Sequence, residues 1–296
     1  MTNLDEVDVG LIASGGRTGT TFLGEFLSEM IPRAHSAHEP DVWPGLNREA
    51  LRRIRTFGFR HMVVDRLLGR SGFRNLSLKH LRGELTIDEA AREIRRQRRK
   101  YYSSAHPLVI ESNYQSFGLL RPFRRAFPDS RIVTVVRDPR TWVASYLDYG
   151  TRRGGRDRVL AWGRSRLHPR LIDDEEYADG WSSMSRFERL CWDWRSIYGR
   201  LVRAANADPM NRMFRYEDLF LGPGREEVFG ELLKFITDFG DRSYEYSLVS
   251  DSLDERVNVR PARTASGGDD AGTMRDPAAM QEICGELMDE LGYGPD

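Results

Sequence analysis

The sequence predicts an α/β protein: a parallel β-sheet between two layers of helices, a three-layer α/β/α arrangement, with a helical insertion. Three observations carry that reading. Short apolar, β-branched runs alternate with segments of helical periodicity, which is the order of βαβ units. The run Arg131-Ile132-Val133-Thr134-Val135-Val136 is nearly continuous rather than alternating, as in a strand covered on both faces. From about residue 47 to about 104 the pattern is helical and strongly basic, unlike the chain around it. With 296 residues, 40% of them apolar and 30% charged, and a mean hydropathy of −0.56, the chain can bury a core and is not disordered. No internal repeat is visible, so residues 1–296 are read as one domain carrying an insertion at about 47–104.

The elements follow in order. Val7 to Ala13 is an apolar strand, broken by Ser14-Gly15-Gly16; Thr20 to Met30 then places Phe22, Leu23, Phe26, Leu27 and Met30 on one helical face. Pro32 stops that helix. The stretch Asn47 to Gly69 reads as a basic helix, Gly69 to Gly83 gives mixed signals, and Thr86-Ile87-Asp88-Glu89 is a capping box that opens a second basic helix to about Tyr102. Leu108-Val109-Ile110 is a short buried strand, Phe117 to Phe127 a helix, 131–136 a strand, and Arg140 to about Tyr149 a helix. Residues 151–182 read as a loop rich in Gly, Arg and Asp. Ser183 to Ala205 is a long helix, Met213 to Tyr216 a last strand, Glu226 to Phe239 a helix, 258–276 a polar loop, and a closing helix ends near Leu291.

The 45 basic and 45 acidic residues cancel, which argues against a surface that grips nucleic acid as a whole. The cancellation hides a division, because residues 48–172 carry +18 and the two flanks together carry −18. A basic middle suggests an electropositive cleft that steers an anion. Of the basic residues 42 are arginine and only Lys79, Lys100 and Lys234 are lysine; arginine suits bidentate capture of phosphate or sulfate, and a compositional bias is the alternative reading. Cys191 and Cys284 are far apart with no C-x-x-C pair, so neither a disulfide framework nor a zinc site is expected. With no signal or transit peptide and no 18-residue apolar run, a cytoplasmic enzyme without a transmembrane segment is the expectation.

The chemistry centres on Ser14-Gly15-Gly16-Arg17-Thr18-Gly19-Thr20-Thr21, between the first strand and the first helix, where backbone amides and the helix dipole meet an anion. A nucleotide-triphosphate P-loop reads G-x-x-x-x-G-K-[ST], but here Thr20 follows Gly19, the Walker lysine is missing, and the turn's cation is Arg17. This segment resembles the sulfotransferases that use 3′-phosphoadenosine 5′-phosphosulfate (PAPS), in its order of basic residue, glycine, two hydroxyls and an apolar pair. Val135-Val136-Arg137-Asp138-Pro139-Arg140, with Ser145 beyond, is similar to the same family's R-D-P-R-x4-S motif at a strand end. Arg215-Tyr216-Glu217-Asp218-Leu219 is similar to the R-Y-E-D-L of carbohydrate and protein-tyrosine sulfotransferases, and the closing segment 283–293 looks like their last helix.

The resemblance implies a P-loop-NTPase-like fold and a PAPS site formed by Gly15, Gly16, Arg17, Thr18, Gly19, Thr20 and Thr21, with Arg137 and Ser145 converging on the 3′-phosphate. It also implies that Tyr216 lies near the nucleotide, a purely structural tyrosine being the alternative, and that Arg263 belongs to a late cofactor loop. It gives Arg17 the stabilisation of the leaving phosphate and makes Glu39, in Ala37-His38-Glu39-Pro40, the general base, with His38 and His35 as rivals. No metal is called for. Where many members read E-K-T-P, this chain reads Glu111-Ser112-Asn113-Tyr114, so a cation near the reacting group is lost unless the insertion supplies one. The expected acceptor is the hydroxyl of a carbohydrate, glycolipid or small metabolite, without nucleic acid. A kinase-like phosphotransferase using ATP and a non-catalytic nucleotide-binding module are the alternatives.

Overall fold

The computed structural model describes residues 6–42, 48–65, 71–102, 106–149, 166–248, 253 and 276–294. Five parallel strands form its sheet: β1 (Asp8–Ser14), β2 (Ala34–His38), β3 (Leu108–Asn113), β4 (Arg131–Val136) and β5 (Asn211–Arg215), in the spatial order β2-β3-β1-β4-β5. Helix α1 (Thr20–Met30) joins β1 to β2. The basic segment forms α2 (Arg48–Phe57), a wide π-helical turn (Arg60–Asp65), α3 (Phe73–Leu81) and α4 (Ile87–Tyr102). Then come a 3₁₀ turn (Tyr114–Gly118), α5 (Leu120–Ala126), α6 (Pro139–Tyr149), α7 (Glu175–Gly180), α8 (Arg186–Asn206), α9 (Tyr216–Phe220), α10 (Arg225–Thr237) and α11 (Pro277–Glu290).

Side chains alternate between two cores, as the period-two geometry of a strand demands. Leu11, Val109, Ile132 and Val136 face a core shared with α4, α5, α6, α8 and α11. Ile12, Ile110, Val133 and Val135 face the other, with α1 and α10. Every residue of β1 is buried, which is why its apolar run is continuous. Covering both faces makes the protein a three-layer α/β/α structure of the expected P-loop-NTPase-like class. Among the described residues no helix is long and apolar enough to cross a membrane.

The structure corrects several element boundaries, each for a physical reason. Strand β2 escapes a pattern reading because Ala-His-Ser-Ala-His is small and polar; it is an edge strand whose Ser36 hydroxyl bonds Ser28 on α1 at 2.8 Å. Strand β3 runs three residues past its apolar part because Glu111, Ser112 and Asn113 are buried with polar partners. The basic helix expected from Asn47 to Gly69 stops at Phe57, where Gly58 turns left-handed at φ 87°. The mixed segment 69–83 holds α3, and the helix expected over Phe117 to Phe127 is a 3₁₀ turn capped by Asn113 followed by α5. The capping box at Thr86 and Glu89 forms, with Thr86 N bonding Glu89 Oε2 at 2.9 Å. In the expected loop at 151–182, the described part from 166 onward contains α7; residues 150–165, like the polar loop around Arg263, lie outside the described residues.

Candidate active site

From β1 the chain leads toward one edge of the sheet and from β4 toward the other, so a crevice opens where these two neighbouring strands end. The turn after β1 fills one lip. Three successive carbonyls of it are engaged: Tyr146 Oη donates to Gly15 O (3.2 Å), Trp142 Nε1 to Gly16 O (2.9 Å), and the Arg137 guanidinium to Arg17 O. These donors come from α6 and the strand exit before it, so the second motif shapes the first. A Cβ on Gly15 would lie 2.8 Å from the Tyr198 ring, and one on Gly16, at φ 80°, 2.6 Å from the Tyr146 hydroxyl. Glycine is needed here because aromatic side chains press on the turn.

Two features of this turn fit an anion. The N-cap of α1 is Gly19, so no side chain caps the first helical amides, and the positive end of the helix dipole lies there. The Thr18 hydroxyl is buried without a hydrogen-bond partner, which costs about 1–3 kcal/mol that an acceptor oxygen would remove. Thr20 and Thr21 open the helix, and the buried Ser112 hydroxyl donates to Thr20 O at 2.8 Å. The residue at the family's lysine position thus braces the helix start. These residues fit a phosphate-bearing donor such as PAPS.

Arg17, Arg137, Ser145 and Tyr216 come together at this lip. Arg17 Nε donates to Ser145 Oγ at 2.8 Å, Arg137 Nε donates to Thr141 Oγ1 at 3.0 Å, and the Arg137 guanidinium lies 4.3 Å from the centre of the Tyr216 ring. The sequence pairs Arg137 with Ser145; in the structure Arg17 stands between them, its carbonyl held by one and its side chain by the other. Glu217, next to Tyr216, accepts from Asp138 N at 3.1 Å and from Tyr293 Oη at 2.8 Å. Trp194 Nε1 donates to Arg137 O at 2.8 Å, fixing the strand exit from α8.

On the side of β1 away from β4, beyond β3, lies the turn after β2. His38 and Ile12 are both level with Ser112 of β3, so Glu39 follows two strand spacings, about 10 Å, from β1. Glu39 is buried and left-handed at φ 44°, a conformation that costs a non-glycine residue about 1–2 kcal/mol. Its amide donates to Ser112 O at 2.9 Å, and His38 Nε2 lies 3.9 Å from Glu39 Oε2. Burial, aided by the charge of Arg53 and only partly offset by a backbone hydrogen bond at Ser112, pushes His38 down to about 4, so its imidazole is neutral at neutral pH. His35 sits three residues earlier in the strand, its Nε2 3.2 Å from the Tyr101 hydroxyl and its ring stacked on His106.

Behind Glu39 is a buried charged cluster that the sequence does not announce. Arg98 on α4 is wholly buried; its Nε and Nη2 each donate to Glu111 at 2.7 Å, and its Nη1 to Asp41 Oδ2 at 2.9 Å. Tyr102 Oη and Asn113 Nδ2 also donate to Glu111, at 2.8 and 2.9 Å. Burial alone would raise Asp41, but the charge and hydrogen bond of Arg98 outweigh it and hold the carboxyl well below the usual carboxylate range. Among the described residues no group of three or more His, Cys, Asp or Glu could hold a metal ion.

Comparison with known proteins agrees with this fold. The sulfotransferase domain of the Synechococcus PCC 7002 olefin synthase superposes with a TM-score of 0.52 at 14% identity, over 98% of this chain and 97% of that one. Sulfotransferase STF9 from Mycobacterium avium gives 0.53 at 15% identity, over 98% of this chain and 77% of that one. At such identities the likeness is one of fold. No curated protein matches the chain significantly. A sulfotransferase family model matches residues 11–223, a span that contains the glycine turn, the Arg137 exit, Ser145 and Tyr216, and on that match the chain belongs to the sulfotransferase family.

Proposed function

We propose that the chain moves the sulfuryl group of PAPS to a hydroxyl of a carbohydrate, glycolipid or small-metabolite acceptor. The observation that carries the reading is the meeting of Arg17, Arg137, Ser145 and Tyr216 at one crevice, with the Glu39 turn about two strand spacings away. Gly15, Gly16, Thr18, Gly19, Thr20 and Thr21 would hold the phosphosulfate end, Arg137 and Ser145 the 3′-phosphate, and Tyr216 would lie near the nucleotide. PAPS, when bound, supplies an activated sulfuryl group on a good phosphate leaving group. Arg17 stabilises charge at that leaving oxygen as an electrostatic partner. Glu39 takes the acceptor's proton, and neutral His38 beside it adds no opposing charge. No metal is needed, and the whole chain 1–296 acts as one domain.

Titration calorimetry with 3′-phosphoadenosine 5′-phosphate (PAP) and with ATP tests the donor: PAP should bind and ATP should not compete. Transfer from labelled PAPS to a panel of monosaccharides, a glycolipid and simple phenols tests the chemistry. Glu39→Gln should lose about 10²–10⁴-fold in kcat while PAP binding persists. Tight ATP binding, or cofactor binding without transfer to any acceptor, would replace this reading with a kinase-like enzyme or a non-catalytic binder.

A further inference from the structure

The basic insertion converges on the turn that carries Glu39. Arg53 on α2 donates from one Nη1 to two carbonyls of that turn, Glu39 O at 2.9 Å and Val42 O at 2.6 Å. Arg98 on α4 grips Asp41, between those two residues in the chain, at 2.9 Å, and is itself fixed by its two bonds to Glu111 on β3. His61, from the wide turn after α2, has its Nε2 3.6 Å from the same Asp41 oxygen. The turn closes on itself through Val42 N to Glu39 O at 3.0 Å and is tied to the sheet through Glu39 N to Ser112 O at 2.9 Å.

Glu39 sits in a left-handed conformation that a glutamate does not prefer. Such a conformation persists only where the surroundings over-determine it, and it concentrates at working sites. Here much of the over-determination comes from outside the sheet. Without the two arginines, the peptide following Glu39 loses a cationic donor and Asp41 loses its counter-ion, and the relaxed alternative swings the Glu39 side chain away from its present direction.

We propose that Arg53 and Arg98 are positioning residues of the reaction: from the insertion they hold the Glu39 turn strained, so that the carboxylate meets the acceptor hydroxyl in line with the donor. The inference rests on the reading of Glu39 as the base. It assigns the arginines of α2 and α4 a task on the protein's own backbone, distinct from contacting an anionic ligand. A guanidinium suits the task because its donors lie in one rigid plane.

Arg53→Gln, Arg53→Lys and Asp41→Asn test it, with Glu39→Gln as reference, using PAPS and the best acceptor of the panel above. Arg53→Gln should lower kcat about tenfold or more, as misplaced catalytic groups do. KM for PAPS and the affinity for PAP should stay within about twofold. Arg53→Lys, which keeps the charge and N–H donors but not the rigid plane, should recover only part of the loss. In the unliganded proteins, amide exchange at Glu39 and Val42 should speed up about tenfold in Arg53→Gln and in Asp41→Asn, a readout independent of turnover. If Arg53→Gln does not fold, Asp41→Asn reads the other arm by the same measurements. Wild-type kcat and exchange in the folded variants, or an equal loss of PAP affinity, overturns the inference. Full turnover by Glu39→Gln would instead remove the base and the inference with it, whereas an inactive Glu39→Gln beside an unaffected Arg53→Gln removes the clamp alone.

Discussion

The turns after β1 and β2 both end a strand in a left-handed residue that is not glycine, Arg17 at φ 58° and Glu39 at φ 44°. They are held by different means. Around Arg17 the backbone carbonyls are bound mainly by the aromatic donors Trp142 and Tyr146, with Arg137 on the last of them. Around Glu39 the holders are guanidinium groups, and the one from Arg98 works only because Glu111 and Asp41 balance its charge in a buried place. The first arrangement relies on shape and neutral hydrogen bonds, so single losses there should be local. The second relies on an ion cluster, in which removing one charge strands the others.

The largest expected effect tests that contrast. Arg98→Met leaves Glu111 and Asp41 buried without a cation and should cost about 3–5 kcal/mol in urea unfolding. A loss below about 1 kcal/mol, the range of exposed pairs, would break the contrast. Arg137→Ala should weaken PAP binding by about 1.5–3 kcal/mol, as for a charged hydrogen bond to phosphate. Unchanged affinity in calorimetry would remove Arg137 from the donor site.

Thr18→Val separates stability from binding at the first turn. Removing the partnerless buried hydroxyl should raise the stability of the unliganded protein by about 1 kcal/mol and lower its affinity for PAP. If both fall, the hydroxyl has a protein partner in solution. The smallest effect concerns His38, whose folded value of about 4 lies below its ordinary 6.5. As pH falls, the unfolded chain takes up this proton first, so the stability tied to the neutral imidazole is present above pH 6.5 and lost from there toward about 4. Wild type should therefore lose more stability than His38→Asn between about pH 7.5 and 5, and equal losses would mean that His38 is not buried neutral.

How much the chain discloses in advance follows the same division. The strands around Ile12 and Val133 are legible because burial on both faces writes a continuous apolar run. The proposed donor side is legible too, since Arg17 and Arg137 stand in contiguous motifs whose spacing is fixed by one turn and one strand exit. What hides is polar and buried: β2 reads as small and hydrophilic, and the end of β3 lacks an apolar pattern because Arg98, Tyr102 and Thr20 satisfy its polar groups. Arg53 and Arg98 are illegible for a statistical reason, because a charged residue on a basic helix is nearly always at the surface. The sequence does not show that the Tyr216 ring lies against the Arg137 guanidinium. Trp142 and Tyr146 leave a weak trace, an i, i+4 aromatic pair on the helix that carries Ser145.

The three-way bonding of Arg98 also decides where this protein can be cut and joined. Its partners lie outside the insertion, Asp41 before it and Glu111 after it. Replacing residues 48–102 with the corresponding piece of a relative would leave two carboxylates in the interior without their cation, however well the ends matched. A workable chimaera must exchange 34–113 as a unit, from the edge strand through β3. The insertion is therefore no detachable module, and its boundaries in sequence are not its boundaries in energy.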